Sequence, residues 1–132
     1  MAFWGAPQDQ PDHARRAARA VIAMAERIRA RNAAREAAGL SPIHMRIGVH
    51  SGEAVVGNIG SPGRVNFTIV GDSVNIGARL EQLCKIVSPG ADVAALISSE
   101  TAAALDSSFS YTSVGDHRLR GRGVETEVFR LI

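Results

Sequence analysis

Asn66-Phe67-Thr68-Ile69-Val70-Gly71-Asp72-Ser73-Val74-Asn75-Ile76-Gly77-Ala78-Arg79-Leu80-Glu81 contains the change of periodicity that decides the fold. Residues 65–70 alternate along the chain as a strand does. Gly71-Asp72 interrupts them, and residues 73–86 take up helical spacing. Asn75 and Arg79 lie four residues apart, so they stack on one helix face near its N-terminus. The amide can hold an oxygen, and the fixed cationic fork of the guanidinium meets phosphate. Such a pair suits an anionic, phosphate-bearing transition state.

Working outward, Met45, Ile47 and Val49 alternate with Arg46, Gly48 and His50, which predicts a strand over residues 43–50. Ser51-Gly52 reads as a turn and residues 54–60 as the partner strand, followed by a loop at Ser61-Pro62-Gly63-Arg64. Nearer the N-terminus, residues 1–7 read as the end of a strand. A long Ala/Arg helix is expected over residues 11–38, opened by Pro11 and stopped by Gly39. Its buried stripe is Ala17, Val21, Met24 or Ala25, and Ile28. Downstream, residues 93–97 read as a short strand. Ser98 caps a helix that reaches Leu105, and residues 109–116 and 124–131 form two closing strands. Hairpin-like joins dominate this order, which predicts an α+β fold with a largely antiparallel sheet and helices packed on it.

The bulk composition bounds the function. At 132 residues the chain is one domain or part of one, and it is long enough to bury a core. A net charge of +2 argues for neither nucleic acid nor membrane as a partner. Lys85 is the sole lysine, and the arginines of the first helix surround its apolar stripe without aromatic residues to stack bases. The arginine preference fits phosphate recognition, although genomic codon bias gives the same pattern. The single cysteine, Cys84, excludes an internal disulfide and reads as a small packing residue. No apolar run reaches membrane-spanning length and no signal peptide is visible, so a cytoplasmic location is expected, with a parent protein that is membrane-anchored or not. His13, His44, His50 and His117 lie on separate segments, without zinc-type spacing. Asp72 reads as a helix cap rather than a metal ligand.

Residues 66–81 resemble the catalytic segment of class III adenylate/guanylate cyclases. Three further blocks are similar to that family in order and spacing. They are residues 45–60, Leu119-Arg120-Gly121-Arg122-Gly123, and Met1-Ala2-Phe3-Trp4-Gly5-Ala6-Pro7. The resemblance implies a ferredoxin-like cyclase fold. In the family, two metal-binding Asp residues and a base-selecting Lys precede the segment that residues 1–7 resemble. The expectation is therefore that residues 1–132 form a partial domain, the C-terminal two-thirds, with an N-terminal strand and helices missing. Magnesium or manganese would serve the full-length enzyme through ligands outside this chain.

The same resemblance implies roles for individual residues. Asn75 orients the ribose, and Arg79 stabilises charge at the α-phosphate. Thr68, seven residues before Asn75, reads the purine, and its hydroxyl can serve adenine. Arg120 binds the triphosphate. Arg122 is either a second phosphate contact or a solvated turn residue. Arg46 either reaches phosphate from an opposing subunit or makes a structural ion pair. The family builds its sites between two subunits, so the expected partners are ATP and a second cyclase chain, in a homodimer or heterodimer. The leading expectation is an adenylate-type cyclase that makes cyclic AMP and pyrophosphate, with GTP as substrate left open. The alternative is a non-catalytic, degenerate cyclase-like module for dimerisation or regulation.

Overall fold

The computed structural model describes residues 1–61, 63–119 and 125–132. The elements run in the order α1 (His13–Ala37), β1 (Met45–Val49), β2 (Val55–Ser61), β3 (Arg64–Val70), α2 (Asp72–Val87), β4 (Val93–Ser98), α3 (Ser99–Ala103), β5 (Thr112–His117) and β6 (Thr126–Arg130). A four-stranded sheet has the order β1-β4-β6-β5, and β2 and β3 form a separate two-stranded sheet. Among the described residues only the β1/β4 pair is parallel. The architecture is α+β with mostly antiparallel pairing, as the hairpin-rich order predicts.

β4 organises the core. Its sequence, Val-Ala-Ala-Leu-Ile-Ser, is buried at all six positions, the signature of a strand covered on both faces. Ala95 and Ile97 join Ala18, Val21, Ala102, Phe109 and Leu131 in one cluster on the α1 side. Ala94 and Leu96 join Ile76, Leu80, Cys84, Leu119 and Val128 in the other, under α2. The sheet thus carries a helix on each face. Burying a side chain such as Ile76 or Leu80 contributes on the order of 1.5–3 kcal/mol.

α1 runs 25 residues and ends in a Schellman motif: Gly39 N–H donates to Glu36 C=O and Leu40 N–H to Arg35 C=O, with Gly39 at φ +70°. Pro11 lies just ahead of the Asp12 N-cap position rather than inside the first turn. Of the two candidates for the stripe, Ala25 is buried and Met24 is exposed. Asn32 is a buried polar residue on the same helix. Its amide donates to Ile43 C=O at 2.9 Å and accepts from Ile43 N–H at 2.8 Å. That clamp fixes the segment entering β1.

Two expectations are corrected. Residues 1–7 are not in a strand: no ladder forms there, and Phe3 lies against Phe67 instead, ring centroids 6.1 Å apart. β2 is not the hairpin partner of β1. It pairs with β3, from Val55↔Val70 to Ser61↔Arg64, while β1 pairs with β4 from Met45↔Val93 to Val49↔Ile97. Alternation marks a strand and its two faces but does not name its neighbour. The short reversal after Ser61 gives β2 and β3 the lower loop-closure cost. β1 receives its partner through the longer crossover that parallel pairing requires. Among the described residues no helix is long and apolar enough to cross a membrane.

Candidate active site

β3 delivers the chain to Val70, and Gly71 turns it at φ +147°, a conformation that side-chain-bearing residues rarely adopt. α2 then begins at Asp72. The expected Asp72 cap is corrected: Gly71 occupies the N-cap position, with no side-chain cap bond, and Asp72 lies inside the first turn. Its carboxylate there complements the positive end of the helix dipole. The start of α2 is held by the next residue, Ser73, whose hydroxyl donates to the Glu53 carbonyl at 2.7 Å.

Ile76, Leu80 and Cys84 recur every fourth residue and are buried. Asn75 and Arg79 each precede one of them, so they flank the buried stripe on adjacent turns. Asn75 is exposed. Arg79 is half-buried, and its Nη1 atom is fully buried with no hydrogen-bond partner among the described residues. No ion pair of Arg79 with a carboxylate occurs among the described residues. Leaving a buried donor unsatisfied costs about 1–3 kcal/mol, and more when it is charged. An external anion docking here would meet a half-buried guanidinium with one donor already withdrawn from water.

Gly48 sets how closely α2 approaches the sheet. A Cβ at position 48 would overlap the Gly77 carbonyl oxygen and lie 2.5 Å from Glu81 N and 2.8 Å from Leu80 Cβ. Only glycine lets β1 and α2 pack this tightly. Beneath them, the Cys84 sulfur lies 3.4 Å from Leu80 O and 3.6 Å from both Ile47 O and Ala94 O. Burial pushes its thiol pKa up.

Thr68 is half-buried on β3, directly opposite Gly57 of β2. A Cβ at Gly57 would meet nothing within 4 Å, so the surface beside Thr68 is open. Arg46 is exposed on β1. Ile47 and Val49 pack toward the α1 cluster and Gly48 toward α2, so Arg46 belongs to the α2 face. β1 and α2 run in opposite directions: Gly52 approaches Ser73, Gly48 approaches Gly77 through Glu81, and Ile47 O lies near Cys84. Arg46 therefore lies toward the C-terminal half of α2, away from Asn75. Within one chain the fold brings Asn75 and Arg79 together and places Thr68 on the strand leading into their helix, but does not bring Arg46 to them. Arg120 and Arg122 lie outside the described residues.

A polar cluster around His50 carried no functional signal in the sequence beyond the missing zinc spacing. His50 Nδ1 lies 2.9 Å from Ser98 Oγ, and Thr101 Oγ1 donates to Ser51 Oγ at 3.2 Å. Among the described residues no group of three or more His, Cys, Asp or Glu side chains could hold a metal ion. The donors of the described residues therefore do not fit a divalent cation.

Residues 1–131 match the family described as the adenylate and guanylate cyclase catalytic domain, and the chain belongs to that family. It is 33% identical over 132 residues to Adenylate cyclase 1 of Rhizobium meliloti, covering all of this chain and 19% of that protein. The fold is similar to the solved adenylyl cyclase CyaB of P. aeruginosa, with a TM-score of 0.84, 26% identity, and 98% of this chain and 64% of that chain covered. It is also similar to the solved guanylyl cyclase Cya2, with a TM-score of 0.80, 32% identity, and 97% and 62% covered. The chain spans about a fifth of the length of the Rhizobium meliloti relative.

Proposed function

We propose that this chain supplies the Asn75/Arg79 half of an adenylate cyclase site that converts ATP to cyclic AMP and pyrophosphate. The observation that carries the reading is the buried, unpartnered Nη1 of Arg79 one turn from exposed Asn75. In the reaction the ribose 3′-oxygen bonds to the α-phosphorus as its proton leaves. The bond from that phosphorus to the bridging oxygen breaks, and pyrophosphate departs. Asn75 holds a ribose oxygen so that the 3′-oxygen faces the phosphorus. Arg79 places positive charge against the oxygens of the five-coordinate phosphorus, where negative charge builds. Thr68 contacts adenine across the open surface beside Gly57.

Arg120 takes the terminal phosphates, with Arg122 beside it, and Arg46 reaches phosphate in the site of an opposing chain. Magnesium or manganese would neutralise phosphate charge, held by carboxylates from outside residues 1–132. A cytoplasmic location fits the triphosphate substrate.

The test is manganese-dependent cyclic AMP synthesis by residues 1–132 and by a longer polypeptide extended upstream. The extended protein should be active and residues 1–132 nearly inactive. Arg79→Ala should lower kcat of the extended protein roughly 10²–10³-fold. Cyclic AMP production by residues 1–132 alone overturns the division of the site between polypeptides. A second reading, a non-catalytic module that pairs with an intact cyclase chain, draws on the exposed apolar residues Val55, Val65 and Phe67 of the β2–β3 hairpin. Inactivity of both proteins, with stable pairing to a metal-bearing partner, selects that reading.

A further inference from the structure

We propose that His50 is a positioning residue for the Asn75/Arg79 helix, acting through residues 50–54. This rests on the reading of α2 as the helix that carries the reacting groups. His50 follows the last residue of β1, and its side chain is only 3% exposed. Its Nδ1 is 2.9 Å from Ser98 Oγ and 3.7 Å from the Glu100 carboxylate.

Ser98 is the N-cap of α3 and accepts from Thr101 N–H at 3.3 Å. The Thr101 hydroxyl in turn reaches Ser51 Oγ at 3.2 Å and Val49 O at 3.5 Å. The exit of β1 is therefore tied, residue after residue, to the start of α3. The chain then passes Gly52. A Cβ there would lie 2.8 Å from His50 Nε2 and 2.6 Å from Ser73 Oγ, so imidazole and hydroxyl together occupy the space of the absent side chain. The next carbonyl, Glu53, takes the Ser73 hydroxyl at 2.7 Å.

The imidazole bonded to the α3 cap and the hydroxyl of the residue two positions before Asn75 thus converge on the space beside Gly52. Packing alone would be served by an apolar side chain. A buried imidazole bonded to a cap hydroxyl adds direction, because a polar group in a low-dielectric interior is held to a specific geometry. Gly48 fixes the middle of α2, and the His50–Gly52–Ser73 contacts fix its start. Misplacing a substrate-orienting group by about 1 Å can cost on the order of 10²-fold in rate.

The experiment is heteronuclear NMR on the chain without nucleotide, followed by ATP titration of the upstream-extended protein, with His50→Leu, His50→Asn, Ser73→Ala and Arg79→Ala. His50→Leu should move the amide resonances of Ser73, Val74 and Asn75 more than those of the rest of α2. It should also weaken ATP binding about tenfold. His50→Asn keeps a polar atom near the Nδ1 position and should restore binding to within about threefold of the original. Ser73→Ala cuts the same link from its accessible end and should reproduce the shifts at the start of α2, which keeps the test open if His50→Leu fails to fold.

Unmoved resonances at the start of α2 in the folded variants overturn the proposal. So does His50→Leu behaviour that His50→Asn does not correct, which would reduce His50 to a packing residue. Absence of ATP binding by the unmodified extended protein, or full binding by its Arg79→Ala variant, overturns the reading of the α2 site instead. The nucleotide-free comparison still judges His50 in that case.

Discussion

Gly48 and Cys84 show how much of the α2 geometry rests on single atoms. The Cβ that Gly48 lacks would meet backbone atoms of α2, which cannot rotate away as a side chain could. Gly48→Ala should therefore destabilise the fold by about 2–4 kcal/mol, measured as a lower urea midpoint with an unchanged denaturant slope. Cys84 tests the same contact electrostatically. Its thiol is pushed above the ordinary value of 9.0, chiefly by burial. As pH rises through about 9 the unfolded chain loses this proton before the folded one does, so this contribution to stability declines above that pH. Urea midpoints measured from about pH 8 to 10 should fall for the unmodified chain, and less steeply for Cys84→Ala. The types and spacing of Asn75 and Arg79 were legible in the sequence. The burial of Arg79 Nη1 was not, because it depends on what packs around the guanidinium from distant segments.

Among the elements, α1 has the clearest local signals. Gly39 ends it with the two bonds expected of a helix terminated by glycine. What docks it is less local. Asn32 presents its amide to both backbone groups of Ile43, eleven residues on. Asn32→Ala removes both bonds and leaves a partly buried N–H and C=O unmatched, so a loss of about 2–3 kcal/mol is expected in chemical denaturation. Nothing in a run of Ala and Arg marks Asn32 as buried. The exchange of strand partners has the same origin: β1 and β2 each alternate as strands, but their neighbours are chosen by α2 and by the reversal after Ser61.

Across the whole molecule, one face of the sheet packs on α1 and the other on α2, while the β2–β3 hairpin stands apart. That hairpin leaves Val55 67%, Val65 57% and Phe67 50% exposed, side chains that a lone domain normally covers. Val65 and Phe67 share one face of the hairpin and Val55 lies on the other, and the proposed pairing with a second cyclase chain would bury the Val65/Phe67 face. Val65→Asp combined with Phe67→Asp should weaken self-association at least about tenfold in sedimentation velocity, with the melting temperature little changed. Unchanged association would place the dimer contact elsewhere. A paired arrangement also gives Arg46 a use, since β1 carries it away from the Asn75 end of α2 within its own chain.

By itself the sequence determined the identity and order of the elements from α1 onward, the family, and the residue types of the candidate site. Those follow from local steric preference and from side-chain chemistry at fixed spacing, which a chain carries before it folds. Tertiary structure alone decided that β1 lies beside β4, that Gly71 rather than Asp72 takes the cap position, that Arg46 and Asn75 lie at opposite ends of α2, and that His50 meets Ser98 at the start of α3. Each of these depends on which distant segment competes best for one surface or one hydrogen bond, and that competition exists only once the chain is compact.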